Sequence, residues 1–376
     1  MARRRKPLSK RLASLGLFII ITLFVFNFNY LLKKSLILVG IADLNWTSIA
    51  RIDVDMDQNL EKQAVVFAYN NAVIISANNE IKLYDEQGQM INARKITSDN
   101  TKIIGMDEYF VVADLLQGNI FILDYTGKTV GQIDNLGTIQ DIISTKNNYF
   151  VVITLNNQLN VYDSDGVLNS NVQLPEGELL GLDLSSDRAQ VITTILSSDK
   201  YHYNSKIITY SMKDNLMIGG HNNYSSIVYG AKVYNDHIMI VDTEGQHAYR
   251  IGDSEEYTWE KSREGELQYF EIDQNGSIYE LTKVENFTDT IFKLTATTKD
   301  GTEIFSSELN HQFTKIVLTP GKVLLQNDRI LEIYSSDGIL LASYESNKKI
   351  NDVEWLNSER LIIEYNDYTE ILELAY

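Results

Sequence analysis

The chain has 376 residues, 44% of them hydrophobic, and carries a formal net charge of −18. It contains no cysteine, which excludes disulfides, thiolate metal sites and cysteine nucleophiles. The charge is divided: residues 1–34 hold eight basic side chains and no acidic one, leaving 25 basic against 51 acidic residues beyond, a net of −26. That balance repels nucleic acid, so no nucleic-acid partner is expected.

Residues 1–11 form a basic tail with Arg3, Arg4, Arg5, Lys6, Lys10 and Arg11. Residues 12–32 (LASLGLFIIITLFVFNFNYLL) carry no charge over 21 positions. As a helix, that length crosses a hydrocarbon core of about 30 Å. Six basic residues precede the run, and only Lys33 and Lys34 follow closely. The positive-inside rule then places the N-terminus in the cytoplasm and the rest outside. The rival, a cleaved signal peptide, has a shorter apolar region of about 7–15 residues and a small-residue cleavage site, for which Asn27-Phe28-Asn29-Tyr30 is a poor match. The expected organisation is a tail (1–11), a transmembrane helix (12–32), a juxtamembrane linker (33–47) and an extracytoplasmic domain (48–376).

Beyond the linker one pattern recurs: an alternating apolar strand that ends in a turn with Asp and Gly. It reads IKLYDEQG at 81–88, IFILDYTG at 120–127, LNVYDSDG at 159–166 and LEIYSSDG at 331–338. Gly88, Gly127 and Gly166 are spaced 39 residues apart. Degenerate copies lie at 207–215, 248–254 and 292–301. Alternation gives each strand two distinct faces, the glycine supplies the positive φ of a hairpin turn, and the aspartate bonds the turn's backbone. A short apolar strand precedes each motif (72–76, 109–113, 149–154, 190–195, 237–241, 277–281, 322–325), and a further strand precedes each of those. Four strands per repeat of about 40 residues is the spacing of a β-propeller.

Seven full units end near residue 344. An eighth, 350–374, holds only three strands (351–355, 360–364, 370–374), and 48–54 is the natural supplier of its fourth. The predicted fold is therefore all-β, a propeller of four-stranded blades preceded by one transmembrane helix. Eight blades are expected, or seven if a degenerate unit is not a blade.

These repeats resemble those of pyrroloquinoline-quinone-type and WD40-like propellers. The layout of basic tail, anchor and acidic propeller resembles a family of membrane-anchored propeller proteins of unknown function from Gram-positive bacteria. The resemblance implies an architecture and brings no assigned activity. The tryptophan signatures of quinone-binding propellers are missing, since only Trp46, Trp259 and Trp355 occur, and no cofactor is expected.

The five histidines form no His-Glu-x-x-His pair, and no Gly-x-Ser-x-Gly elbow, phosphate loop or dinucleotide fingerprint is present. No metal or catalytic residue is assigned. Enlarged connections between second and third strands are expected at 197–205 and 283–290, beside an inter-blade connection at 219–226. They would bring Tyr201, His202, Tyr203, His221, Tyr224 and Phe287 to one rim, where aromatic side chains with polar tips suit contact with a protein or a glycan. The expected function is a non-enzymatic interaction or sensing scaffold, anchored in the bacterial membrane, with a protein partner in the envelope. The alternative is a carbohydrate-active hydrolase or lyase using carboxylates in the central channel, where the innermost strands offer Asp107, Asp141, Asp183 and Asp352. A channel plugged by Ile, Val and Leu favours the first. Clustered carboxylates with raised pKa values favour the second.

Overall fold

A computed structural model describes residues 45–54, 64–96, 98, 100–144, 148–185, 190–198, 203–223, 226–251 and 256–375. The basic tail and the expected transmembrane helix lie outside the described residues. Among the described residues, no helix is long and apolar enough to cross a membrane.

The strands form eight separate four-stranded antiparallel sheets, the blades of an eight-bladed propeller. Seven are built from consecutive strands: the first runs Val65–Tyr69, Ala72–Ala77, Glu80–Tyr84, Met90–Lys95, and the seventh Lys315–Thr319, Lys322–Gln326, Ile330–Ser335, Leu340–Glu345. The eighth joins Asp352–Trp355, Arg360–Glu364 and Tyr368–Ala375 to Asn45–Asp53 from the other end of the domain. Asn45 faces Ala375 and Asp53 faces Tyr368 across that seam, so hydrogen bonding between distant ends closes the ring. Closure leaves no open edge between the chain's two ends.

The apolar layers lie between blades. One joins Val151, Ile153 and Val161 of the third blade to Val191, Ile195 and Ile208 of the fourth. Another joins Ile52, Ile362 and Ile371 of the eighth to Val73 and Ile75 of the first. Each second strand sits inside such layers on both faces. That is why those segments (YFVVAD, YFVVIT, HIMIVD) read as continuous apolar runs rather than as alternating ones.

The Asp-x-x-Gly turns explain the repeat length. In the first blade, Asp85 accepts hydrogen bonds from the backbone N–H of Gln87 (2.9 Å) and Gln89 (2.8 Å). The same cap recurs at Asp124 and Asp163, and Ser335 replaces it in the seventh blade. The turn glycines have a second duty, most visible at Gly338. Its φ is +80°, and a Cβ there would meet the Phe305 ring, on the outer strand of the preceding blade, at 2.5 Å. Gly301 packs on Trp259 of the blade before it in the same way. The glycine therefore recurs in blades one, two, three, six and seven because it both turns one hairpin and lets the neighbouring blade close against it.

Candidate functional site

The first strands lie innermost, and those of neighbouring blades approach one another, as Val65–Tyr69 does Thr101–Gly105 and Glu178–Leu184 does Val228–Tyr234. Their polar side chains tie blade to blade. Lys102 donates to Asp141, and Lys315 to Asp352. Lys232 Nζ donates to the carbonyl of Ile272 (2.6 Å), Asp183 accepts from the backbone N–H of Val233 (2.7 Å), and Glu354 accepts from that of Ala68 (2.6 Å). Three of the four aspartates expected on the innermost strands thus fasten seams. The fourth, Asp107, accepts through its backbone carbonyl from the Asn70 amide (3.5 Å).

The innermost strands of blades five to eight carry the charged residues Lys232, Glu271, Lys315, Asp352 and Glu354. Asp352 stands directly opposite Glu364 in the ladder of the eighth blade, and Glu354 shares the face of Asp352 two positions along the strand. Burial pushes the Glu364 carboxyl up to about 7, helped by Asp352 and Glu354 and opposed by Lys315. Burial also raises Glu354, with Asp352 adding to the effect, although the Ala68 N–H and Lys315 oppose it. Glu271 on the sixth blade is raised by burial despite Lys232, the Ile272 N–H and Lys315. Two cavities open at Glu271. One of 560 Å³ is bordered by the inner strands of blades four to six, and one of 930 Å³ runs between blades six and seven. Lys232, Tyr269, Glu271 and Ile272 border both.

At the opposite rim, Tyr203 and Phe287 sit at the ends of second-to-third hairpins on blades four and six, with blade five between them. Both are exposed, Phe287 completely. Tyr201, His202 and Tyr224 lie outside the described residues. The expected loops at 197–205 and 283–290 are shorter than read from sequence, because the ladders continue to Ser198–Tyr203 and Glu285–Thr290. Gly219, Gly220 and His221 belong to the outer strand Leu216–Asn223 rather than to a connection. The His221 ring packs against Tyr249 (5.2 Å between centroids) and Tyr257 (5.7 Å) of the fifth blade.

Ser226, Asp242 and His247 also lie together. Burial alone would raise Asp242, but hydrogen bonds from His247 (3.0 Å), Ser226 (2.5 Å) and the Gly245 N–H (2.9 Å) outweigh it and bring the carboxyl down to about 2. Here the aspartate stands between serine and histidine, whereas a nucleophile relay needs the histidine in the middle. This group therefore holds the turn after His237–Asp242.

A family described only as "Family of unknown function (DUF5711)" matches residues 48–374. The chain belongs to DUF5711. The match spans nearly the whole described domain, closing strand included. No curated protein matches. Solved structures similar to this DUF5711 chain include the computationally designed Ika8 protein (12% identity, 86% of this chain and 100% of that one, TM-score 0.64). The C-terminal WD40 domain of Sif2 is similar at 12% identity, 88% and 99% coverage and TM-score 0.60. BamB from Moraxella catarrhalis is similar at 10% identity, 88% and 100% coverage and TM-score 0.54. At such identities the likeness is one of fold: a β-propeller with BamB-like and WD40-like neighbours.

Sequence reasoning missed two features of the DUF5711 domain. The channel group of Lys232, Glu271, Lys315, Glu354 and Glu364 carried one usable signal, polar residues on strands otherwise rich in aliphatics. The outer strand of the fourth blade exposes Leu216, Met217 and Ile218 and bears no charge, a composition unusual for an open sheet edge.

Proposed function

We propose that this DUF5711 protein is a membrane-anchored interaction scaffold of the Gram-positive envelope, with residues 12–32 as the anchor, the basic tail inside and the propeller outside. It carries out no chemistry of its own and presents its rim and outer walls to a protein partner. The anchor rests on the uncharged run and the charge step across it. Residues 33–44 alone separate that run from the closing strand, so the propeller would sit close to the membrane. The observation that carries the scaffold reading is the placement of Phe287, Tyr203 and Leu216–Ile218: large apolar or aromatic groups in the open, while Asp141, Asp183, Asp352 and Glu354 of the inner strands are spent on joining blades.

A photo-crosslinking amino acid at position 203 of the full chain, in intact cells, tests it. A discrete adduct is expected, weakened several-fold by Phe287→Asp. If position 203 yields none, and position 217 on the outer wall yields none either, the scaffold reading fails.

A second reading, a carbohydrate-active hydrolase or lyase, is favoured by the Glu364 carboxyl standing opposite Asp352. It ranks below the first because Asp352 is held by Lys315, which leaves the pair one free partner short.

A further inference from the structure

The outer strand of each blade is a sheet edge, and an edge presents outward N–H and C=O groups that can take up another strand. Five of the eight outer strands carry charge, as Arg94 and Lys95 do in the first blade and Glu303 and Glu308 in the sixth. The three without charge, Thr129–Ile133, Leu168–Gln173 and Leu216–Asn223, lie on adjacent blades. The first two are covered by the turn of the next blade. A Cβ on Gly131 would stand 3.0 Å from the backbone of Asp165, and Asn215 Oδ1 accepts from Ser170 Oγ (2.7 Å) and from the Asn171 N–H (3.2 Å). Gly219 occupies the same ladder position as Gly131, just past the bulge, yet among the described residues nothing comes within 4 Å of a Cβ placed there. Before it, Leu216, Met217 and Ile218 are 63, 65 and 52% exposed. Glycine inside a strand, with open space in front, suits the close approach of another backbone.

Charge limits what can approach. The chain has a net charge of −18, so two copies repel one another except over a strip that carries none. An edge strand is also its own complement, because about a two-fold axis it meets itself antiparallel and each outward N–H finds a C=O. We infer that Leu216–Asn223 pairs antiparallel with the same strand of a second copy of this chain, joining two four-stranded blades into one sheet of eight, with Leu216, Met217 and Ile218 packed along the seam. The inference rests on the scaffold reading and names the partner of its outer wall. The strand has 8 residues, short of the roughly 20–30 a side of a standard interface. The pairing is therefore reversible and draws on the high local concentration of chains held in one membrane plane.

Two differently tagged full-length copies, co-expressed with a photo-crosslinking amino acid at position 217, test it in intact cells. The adduct should have twice the mass of the chain and carry both tags. Ile218→Lys, at a half-exposed side chain, should cut that adduct at least fivefold and leave the thermal unfolding midpoint unchanged. Geometry is read separately with single cysteines at positions 216–222, in a chain that has none of its own. Combined pairwise, they should form disulfides best where the two residue numbers have a constant sum, the mark of antiparallel register, and at least fivefold above Ser358→Cys. An adduct of any other mass overturns the inference and leaves the scaffold reading standing. No adduct at 217 overturns it as well, and position 203 then decides the scaffold reading alone. Disulfides as strong at Ser358→Cys, yields that ignore the sum, or a doubled adduct that survives Ile218→Lys would each overturn it too.

Discussion

Replacing residues 45–53 of the full chain by a Gly/Ser linker of equal length should lower the unfolding midpoint by at least about 10 °C and broaden the transition. The strand contributes a complete fourth ladder to the eighth blade. It buries Ile52 against Val73 and Ile362, and the Trp46 indole N–H donates to the Ser343 carbonyl (3.0 Å) while its ring meets Tyr344 edge-on. Side chains of this size are worth about 1.5–3 kcal/mol each when fully buried. Together with the exposed ladder of Tyr368–Ala375, the loss comes to about 5 kcal/mol, a large share of the roughly 5–15 kcal/mol that holds a domain together. At about 2 °C per kcal/mol for a domain of this size, the shift follows. Adding a peptide of sequence 45–53 should recover part of it. An unchanged midpoint in thermal denaturation followed by circular dichroism would mean that the ring closes some other way.

Arg263→Met should destabilise the domain by about 3–5 kcal/mol, the usual effect of leaving one half of a buried ion pair alone. The side chains of Arg263 and Glu280 are each only 4% exposed, and two guanidinium nitrogens reach the same carboxylate oxygen, at 2.6 and 3.1 Å. The guanidinium also donates to the carbonyls of Asp242 (2.6 Å) and Gly245 (3.1 Å), so one side chain fastens a turn of the fifth blade to the second strand of the sixth. Without it, Glu280 is left as an unpaired carboxylate in a dry place. Adding Glu280→Leu should restore most of the loss. Denaturant titrations of the single and double variants read both effects. A penalty that Glu280→Leu does not reduce would place the effect in packing rather than charge.

The eight blades were legible because their cause is local. A hairpin that needs a left-handed residue marks itself with glycine, and Gly88, Gly127 and Gly166 mark it at constant spacing since each also meets the blade before it. Where the repeat looked degenerate the same geometry is met differently. Asn215 takes φ +53° in the fourth blade, and in the sixth Thr298 does the capping ahead of Gly301. The channel group was not legible, because which inner-strand side chains meet depends on the neighbouring blade. The partners lie one repeat apart, 39 residues for Lys102 and Asp141, 40 for Lys232 and Ile272 and 37 for Lys315 and Asp352, a regularity visible only once the blades are in register. The rim was half legible. Composition pointed to Tyr203 and Phe287, but alternation could not show that the ladder runs on through Gly219–His221 and turns the histidine ring towards Tyr249.

The claim on which the functional account rests is display outside the membrane, and the absence of native cysteine makes it directly measurable. Ser358→Cys lies on the propeller surface and Ser9→Cys in the basic tail. With a membrane-impermeant maleimide on intact cells, the account predicts that Ser358→Cys is labelled at once and Ser9→Cys only after permeabilisation. Labelling of Ser9→Cys in intact cells, or protection of Ser358→Cys until lysis, would contradict it.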